Sequence, residues 1–239
     1  MTRVSVAMAV YNGGKYINEQ LGSIINQLAE DDELVISDNM STDDSRDIIL
    51  SYAKLYPNIK FLECNEQGII ANFENAINHC SGKYVFLADQ DDVWNNNKIK
   101  EVLKKFNTTD AYVILHDCEY VNEYLEKTNR TLFEEKNVKI GYKKNLWKNS
   151  YQGCCIAFRS EMIPVICPIP RDISIHDQWI GLLAEKLGRS ELLNEKLILH
   201  RKYKGSNSTK HISMAKRYHN IKLLNINVLK RLKDRNIEL

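Results

Sequence analysis

The sequence predicts an α/β protein in which helices flank a mainly parallel β-sheet. Over residues 1–110, segments rich in β-branched and aliphatic side chains alternate with segments whose apolar residues recur at helical spacing. Polar residues follow four of the predicted strands, and the carboxyl ends of parallel strands are where such sheets bind ligands. The chain has 239 residues, 44% of them hydrophobic, which is enough to build one large core.

The first half of the chain supplies four predicted strands separated by three helices. The strands are "RVSVAMAV", "DELVISD", "IKFLECN" and "KYVFLAD", and helical periodicity covers residues 15–28, 41–56 and 68–80. Ser41, with Asp44 three positions later, resembles a capping box, which predicts that the second helix begins there. The polar residues expected at the common rim are Tyr11, Asn12, Asp38, Asn39, Asn65, Asp89, Asp91 and Asp92.

The second half of the chain is predicted to be less regular. Two strands, "AYVILHDCEYV" and "GCCIAF", enclose the Lys- and Asn-rich residues 122–150, which we interpret as surface excursions. "HDQWIGLLAEKLG" is a predicted helix that ends at Gly188, a residue suited to a left-handed C-terminal position. A last strand covers "LNEKLILHRKY", and a helix is predicted over residues 212–235 after a loop-like segment.

Composition narrows the possible functions. The net charge of +2 gives no argument for nucleic acid as a partner, because such proteins usually concentrate basic residues on one face. No apolar run approaches the roughly 18 residues of a membrane span. The N-terminus enters a strand pattern without a cleavage site for a signal peptide. Since the six cysteines show no CxxC spacing, we expect reduced core thiols in a cytoplasmic protein.

A dense group of carboxylates follows the fourth predicted strand. In "KYVFLADQDDVW", Asp89, Asp91 and Asp92 lie within four positions. Like charges this close repel one another unless a cation is present, and oxygen-only ligands suit Mg²⁺ or Mn²⁺. The alternative is a solvated acidic turn that begins the next helix. The glycine and distal glutamate of a calcium loop are absent, as are the glycine-rich signatures of nicotinamide and P-loop nucleotide sites.

Six segments, in order along residues 3–210, resemble the motifs of family 2 glycosyltransferases with the GT-A fold, a Rossmann-like architecture. They are "VSVAMAVYNGGKYI", "LVISDNMSTDDS", "NEQGIIANFENAI", "VFLADQDDVW", "GCCIAF" and "HDQW". "VFLADQDDVW" is similar to the family's DxD motif, and "HDQW" to the helix start that bears its catalytic base. "DQDDVW" and "HDQW" are most similar to the rhamnosyltransferase-type branch, which builds bacterial surface polysaccharides such as O-antigen and capsule.

The resemblance implies an inverting, metal-dependent hexosyltransferase that moves a sugar from a nucleoside-diphosphate donor to a hydroxyl of a glycan. The residues that it places around the nucleotide sugar are Ala9, Val10, Tyr11, Asn12, Asp38, Asn39, Asn65, Gly68, Asn72, Asp89, Asp91 and Arg201. Asn39 stands where the family has its second Asp, so either Asp38 or Asn39 would accept the hydrogen bond from the base. Asn72 and Asn75 would reach the diphosphate or sugar, or would form a polar helix face.

The resemblance also places Mn²⁺ or Mg²⁺ on Asp91 and Asp92. "HRKYKGSNST" is similar to the family's "YRxHG.N" segment, in which Arg201 and Asn207 match. Tyr203 or Lys204 replaces the family's histidine there. His211 is therefore our candidate for a third ligand, and the alternative is an ordinary loop histidine.

On the acceptor side, the resemblance makes Asp177 the general base that removes a proton from the attacking hydroxyl. His176 would be its partner or an N-terminal cap of the helix. Trp179 would offer the acceptor sugar a flat apolar face, or would belong to the core.

Two other functions are compatible with parts of the sequence. A haloacid-dehalogenase-type phosphatase also places DxD after a strand, although normally after the first core strand rather than the fourth. A degenerate glycosyltransferase that serves as an assembly subunit would lack activity, but the joint presence of Asp91, Asp92 and Asp177 disfavours it. Release of nucleoside diphosphate from a nucleotide sugar would distinguish the transferase from both.

We predict a catalytic domain over residues 1–211, with a nucleotide-sugar half over 1–110 and an acceptor half over 111–211, and an amphipathic basic helix over 212–239. That last segment carries seven Lys or Arg and two acids. It would either pack on the catalytic domain or lie on anionic lipid at the inner face of the cell membrane. The second role suits a polyprenyl-diphosphate-linked acceptor, which the family resemblance implies is common.

Overall fold

The computed structural model describes residues 3–203 and 213–236, which build one mixed sheet flanked by helices. Its strands are β1 (Val4–Val10), β2 (Glu33–Asp38), β3 (Ile59–Glu63), β4 (Tyr84–Ala88), β5 (Val93–Trp94), β6 (Val113–Val121), β7 (Lys127–Thr131), β8 (Ile156–Arg159) and β9 (Ser190–Arg201). Its helices are α1 (Ile17–Ile25), α2 (Ser45–Leu55), α3 (Ile69–Asn78), α4 (Lys98–Asn107), α5 (Leu132–Lys136), α6 (Tyr142–Trp147), α7 (Ile163–Ile166), α8 (His176–Lys186) and α9 (Met214–Asp234).

The first half of the chain forms the predicted parallel sheet, with its strands in the order β3-β2-β1-β4. Every residue of β1, β2 and β4 is buried, as continuous apolar runs in a parallel sheet require. The chain leaves β1 toward β2 and β3, and then returns to place β4 on the other side of β1. Because a crevice opens where the strand order reverses, the ligand edge is expected between the ends of β1 and β4.

The second half departs from a purely parallel sheet. β8 lies between β4 and β6 and runs antiparallel to both, while β6 and β9 are parallel. The two-residue β5 pairs with β9, directly after the carboxylate segment. A 3₁₀ turn over Gly153–Cys155 leads into β8, so it brings the acceptor half of the chain against the end of β4.

Two local predictions were wrong. α2 begins at Ser45 rather than at Ser41, because the Ser41 hydroxyl donates to the Asp38 carboxylate and accepts from the Asn12 backbone N–H at 2.9 Å. That side chain therefore connects the loops after β1 and β2 instead of capping a helix. Residues 122–150 are also more regular than expected, since they contain β7, α5 and α6. At the end of α8, Gly188 adopts φ +68°, as the C-terminal prediction required.

The C-terminal helix α9 packs its apolar face on the acceptor half. Leu224, Val228 and Leu232 are buried, one turn apart, against α6 and α8. Arg231 donates to the backbone oxygens of Val165 and Ile166 and so fastens the far end of the helix. The apolar face is thus already covered by protein. In the part of the chain that the structure describes, no helix combines the length and apolarity needed to cross a bilayer.

A matched pair of glycine substitutions tests the packing of α8 under the acceptor half. A Cβ on Gly181 would overlap the ring of Tyr151, a fully buried side chain, whereas a Cβ on Gly22 of α1 meets nothing within 4 Å. We expect Gly181→Ala to lower the free energy of unfolding by about 1–3 kcal/mol through overpacking. Gly22→Ala should be neutral or raise it by up to about 1 kcal/mol. Urea denaturation of both variants checks this, and equal midpoints would contradict the close contact.

Candidate active site at the carboxyl ends of the strands

Gln90, the residue between the acids of the DQDD segment, holds the ends of β1 and β4 together. Its Oε1 accepts from the Tyr11 backbone N–H at 2.7 Å, and its Nε2 donates to the Tyr11 oxygen at 3.0 Å. A Cβ on Gly13 would lie 2.6 Å from the Gln90 side chain, so glycine at that position permits the approach. The Tyr11 ring remains 61% exposed at the mouth of the crevice, where we predicted a nucleotide base.

The other predicted nucleotide residues after β1 and β2 organise the loops of this rim. Asn12, at φ +50°, accepts the Thr42 N–H at 2.8 Å, and the buried Asp38 carboxylate accepts from Ser41. The Asn39 side chain donates to the backbone oxygens of Cys64 and Glu66 and accepts from the Gly68 N–H. Asp38 and Asn39 thus already make internal hydrogen bonds. That one of these two residues accepts the hydrogen bond from the nucleotide base stays a prediction.

Residues from β3 and α3 complete the same rim. Asn72 is buried and donates to the Val10 oxygen at 2.9 Å, which leaves its Oδ1 without a partner among the described residues. Asn65 and Gly68 lie exposed in the loop before α3. Asn75 instead points to β2, because its amide donates to Ser37 Oγ at 2.9 Å. The Asn75 amide is therefore hydrogen-bonded to the sheet, whereas Asn72 retains an unpaired oxygen beside β1. Ala9 and Val10, at the end of β1, are buried.

The three carboxylates have different surroundings. The Asp91 side chain accepts from the Tyr203 hydroxyl at 2.8 Å. The fully buried Asp92 accepts from His200 Nδ1 at 2.8 Å through Oδ1, and its Oδ2 has no partner in the described chain. Asp89 is half-buried, and its backbone oxygen accepts from Gln20 at 2.7 Å.

These surroundings shift the pKa values in opposite directions. Burial, followed by the neighbouring thiol and carboxylates, raises the pKa of Asp89 well above its usual value, and burial with the Asp92 charge raises that of Asp91. Burial also opposes ionisation of Asp92, but the His200 imidazole outweighs it and lowers the pKa of Asp92. For His200, burial disfavours the charged imidazolium, yet the Asp92 carboxylate raises the pKa of His200 well above its usual value. Asp92 and His200 therefore form an ion pair.

The residues fit a divalent cation, although not in the predicted set. Asp89, Asp92, Cys154 and His200 place one potential ligand atom each within 4.8 Å of one another, and Asp91 is outside this group. His200 would have to release its proton to serve as a ligand. The unpartnered Asp92 Oδ2 and the crowding of negative charge at Asp89 are the features that a cation would relieve. His211, our candidate third ligand, lies outside the described residues, as does Asn207.

Arg201 lies beneath the carboxylates rather than in the crevice. Its guanidinium donates to the Asp91 backbone oxygen at 2.8 Å, forms an ion pair with Glu19 and packs over the ring of Tyr16. Only 2% of the residue is exposed. The structure thus gives Arg201 a positioning role, in which it holds the turn that carries Asp91 and Asp92, instead of the direct donor contact that the resemblance implies.

On the acceptor side, Asp177 lies in the first turn of α8 and is half-buried. Its Oδ1 accepts from Asn149 Nδ2 at 3.2 Å and from the Gln178 N–H, while Oδ2 receives no hydrogen bond from the described residues. The ideal Cβ position of Gly153 lies 4.0 Å from the Asp177 Cβ. The next residue, Cys154, places its sulfur 3.6 Å from His200 Nδ1. The Gly153–Cys155 turn therefore links Asp177 to the carboxylate group.

Neither of the two predicted acceptor residues beside Asp177 faces an open cleft. Trp179 is completely buried and donates its indole N–H to the Ile166 oxygen at 3.0 Å, so it is a core residue and not an acceptor platform. His176 is buried against Phe73, with ring centres 4.1 Å apart. Burial lowers the pKa of His176, so the ring is neutral, and neither nitrogen has a partner in the described residues.

Sequence reasoning missed three residues that shape the site, namely Gln90, Cys154 and His200. His200 follows the apolar run at residues 197–199 of β9 and precedes an arginine that the resemblance did select, and this position is the one signal that pointed to it. The fully buried Lys98 was also missed. It donates to the Cys154 oxygen at 2.8 Å, and burial lowers its pKa to about 8. A buried cation thus supports the turn beside the carboxylates.

Comparison with known proteins shows the fold and the family of the chain. The dTDP-rhamnosyl transferase RfbG of Shigella flexneri is 26% identical over 233 residues, which cover 91% of this chain and 78% of that protein. The S. aureus TarS structure with UDP-GlcNAc superposes with a TM-score of 0.73 at 20% identity, over 95% of this chain and 67% of TarS 1–349. The Pyrobaculum calidifontis mannosyltransferase PcManGT, with GDP-Man and Mn²⁺, gives 0.65 at 18% identity, over 99% and 65%.

At these identities the superpositions show the fold, and they confirm the predicted GT-A architecture. The chain spans about two thirds of the two solved structures. The family model described as glycosyl transferase family 2 matches residues 5–167, which is more than half of the chain. The protein therefore belongs to glycosyl transferase family 2.

Proposed function

We propose that the protein transfers one sugar from a nucleoside-diphosphate donor to a hydroxyl of a glycan, with inversion at the anomeric carbon. The observation that carries this proposal is the Gly153–Cys155 turn, which approaches Asp177 at Gly153 and approaches His200, the partner of Asp92, at Cys154. Such a site has a general base and an anionic group that can hold a cation on the donor diphosphate. The position of the carboxylates after the fourth strand, together with the family, disfavours a haloacid-dehalogenase-type phosphatase.

The proposed reaction follows from what each group can do. The acceptor oxygen bonds to the anomeric carbon, the bond from that carbon to the diphosphate oxygen breaks, and the acceptor proton passes to Asp177 Oδ2. Asn149 and the Gln178 N–H hold Oδ1, so they orient the free oxygen. Mn²⁺ or Mg²⁺, held by Asp92 and Asp89 with Asp91 near the donor, would supply charge neutralisation for the departing nucleoside diphosphate. Gln90 keeps the carboxylate segment next to the Tyr11 loop.

A panel of nucleotide sugars with and without Mn²⁺ tests the function. We expect one donor among dTDP-rhamnose, UDP-glucose, UDP-galactose, their N-acetyl forms and GDP-mannose to raise the melting temperature. At 100 times its dissociation constant, a ligand stabilises by about 2.7 kcal/mol, which is about 5–10 °C for a chain of this size. Nucleoside diphosphate should appear slowly by hydrolysis, and EDTA should stop its release. Release of inorganic phosphate instead would indicate a phosphatase, and no release with any donor would indicate a non-catalytic subunit.

The donor we favour is dTDP-rhamnose, and the pathway we favour is bacterial surface polysaccharide synthesis. Support comes from the "DQDDVW" and "HDQW" motifs and from the similarity to RfbG. The solved neighbours carry UDP-GlcNAc and GDP-Man, so other donors are retained in the panel. A lipid-linked acceptor at the cytoplasmic face of the membrane would fit this role.

Peripheral contact with anionic lipid, if it occurs, must use the basic residues of α9, because the apolar face of the helix is covered. Lys230, Lys233 and Arg235 are exposed at its C-terminal end. Each basic residue near a bilayer adds about 1 kcal/mol, so replacing all three with Gln should weaken binding to anionic vesicles by up to about 100-fold at low salt. Lys54, Lys100 and Lys104 replaced together form the matched control. Equal vesicle binding by both triple variants would exclude the contact.

A further inference from the structure

A pocket of about 200 Å³ lies on the acceptor half, and Asn149 and Gln178, which hydrogen-bond Asp177, both line it. Its walls come from the end of α6 and the segment after it, from the segment that leads into α8 together with the first turn of α8, and from the N-terminal half of α9. Pockets that hold drug-sized ligands measure about 300–1,000 Å³. The smaller volume here suits one ring-sized unit rather than an extended oligosaccharide.

This pocket presents the one exposed indole of the protein. Trp94 and Trp179 are buried, whereas Trp147 is 53% exposed. The Trp147 ring is also held in place, because Arg217 donates to the Trp147 backbone oxygen at 2.9 Å and its guanidinium carbon lies 5.3 Å from the ring centre. An indole combines a large, rigid apolar face with low conformational entropy. Such a face packs well against the C–H side of a sugar ring.

The inner wall of the pocket carries the two groups that orient Asp177. Asn149 donates to Asp177 Oδ1 through its amide, and Gln178 donates to the same oxygen through its backbone N–H. On the α9 side, Asn220 donates to Ser174 Oγ at 2.8 Å, and both residues line the pocket. A ring in this pocket would therefore have an apolar face on one side and polar groups around it, among them the two residues that orient Asp177.

The charged side chains that line the pocket are all positive. Arg217 and Lys148 line it, and no carboxylate is present among the lining residues that the structure describes. Neither of these two side chains forms an ion pair within the described chain. Their positive charge is thus available for a ligand, and it is located at the rim of the pocket, on the side of Trp147.

We propose that this pocket is the acceptor subsite, and that it binds one sugar unit bearing a negatively charged substituent, phosphate or carboxylate. The sugar ring stacks on Trp147, and the anionic group pairs with Arg217 and Lys148. This inference rests on the proposed transferase function, because only a transferase has an acceptor. It makes α9 part of the acceptor-binding surface. It distinguishes an acidic or phosphorylated glycan from a neutral one.

Tryptophan fluorescence of the full chain reports on this pocket, because Trp147 is the exposed tryptophan that a ligand there would contact and the other two tryptophans are buried. We expect α-glucose 1-phosphate and glucuronic acid to change the emission with dissociation constants about fivefold or more below that of glucose, and raised salt should remove the difference. Trp147→Phe should lose the emission change. Arg217→Gln should bring the three dissociation constants together, whereas Arg235→Gln, an exposed change on the same helix, should leave the preference intact.

Several results would overturn the subsite. Emission that changes equally in the wild type and in Trp147→Phe places the ligand elsewhere, and equal affinity for glucose and the two anions removes the charge preference. If Trp147→Phe does not fold, Arg217→Gln alone decides, because it should lose the preference while its indole signal remains. Hydrolysis of a nucleotide sugar by the wild type is measured in parallel. Donor hydrolysis with a flat titration refutes the subsite alone, whereas absent hydrolysis refutes the transferase function and, with it, the acceptor role.

Discussion

Asp92→Asn is expected to lower the rate of sugar transfer by about 10²–10³-fold, because the change removes charge stabilisation from the departing diphosphate. Asp92 is the most constrained of the three acids. It is fully buried and paired with His200, and one of its oxygens lacks a partner in the described chain. Asparagine preserves the shape and can still accept from His200, so the fold should survive. The measurement is nucleoside diphosphate release at increasing Mn²⁺ concentration.

Comparison with Asp91→Asn shows which acid holds the cation. Asp91 lies outside the group of ligand-spaced atoms and accepts from Tyr203, a bond that asparagine can keep. We expect Asp91→Asn also to lose most activity, but through weaker donor binding, with less change in the Mn²⁺ concentration at half-activation than in Asp92→Asn. Asp110→Asn, whose side chain is 82% exposed, serves as the control for the charge change. Full activity of the wild type in EDTA would refute the metal-dependent mechanism.

The parallel half of the fold could be predicted because its signals are local. β1, β2 and β4 are buried on both faces, so their sequences are continuous apolar runs that end abruptly in polar residues. The start of α2 could not be predicted in this way. Ser41 has the residue type and spacing of a helix cap, but its hydroxyl binds Asp38 and the Asn12 backbone. A tertiary hydrogen bond replaced the local one, and local patterns carry no information on that choice.

The same distinction between local and tertiary signals applies to the candidate site. The acids of the DQDD segment are adjacent in sequence, so their crowding is visible without a structure. Their partners are not, since His200 follows Asp92 by 108 residues and Cys154 comes from a turn before β8. For Trp179 the sequence left two alternatives, an apolar face for the acceptor sugar or a place in the core. Trp179 lies two residues after Asp177, and in a helix that spacing turns a side chain to the opposite face, here the core.

Asp177→Asn is expected to lower sugar transfer by about 10²–10⁴-fold, which is the contribution of a positioned general base. Asparagine retains the oxygen that accepts from Asn149 and from the Gln178 N–H, so the side chain should stay in place. It cannot take the proton of the acceptor hydroxyl. Because Asp177 is on the acceptor side, the affinity for the nucleotide sugar should change little. Transfer to an acceptor and donor binding, measured separately, test both expectations.

Asp172→Asn is the matched control, because Asp172 is exposed, lies five residues before the base and accepts from Asn227 of α9 at 3.1 Å. The charge change is the same, so a general electrostatic effect of the acceptor half would appear in both variants. A base predicts loss of transfer in Asp177→Asn alone. If donor affinity collapses together with transfer, Asp177 supports binding or structure instead. The next candidate for the proton is then the neutral His176, whose Nε2 lies 2.9 Å from the ideal Cβ position of Gly153.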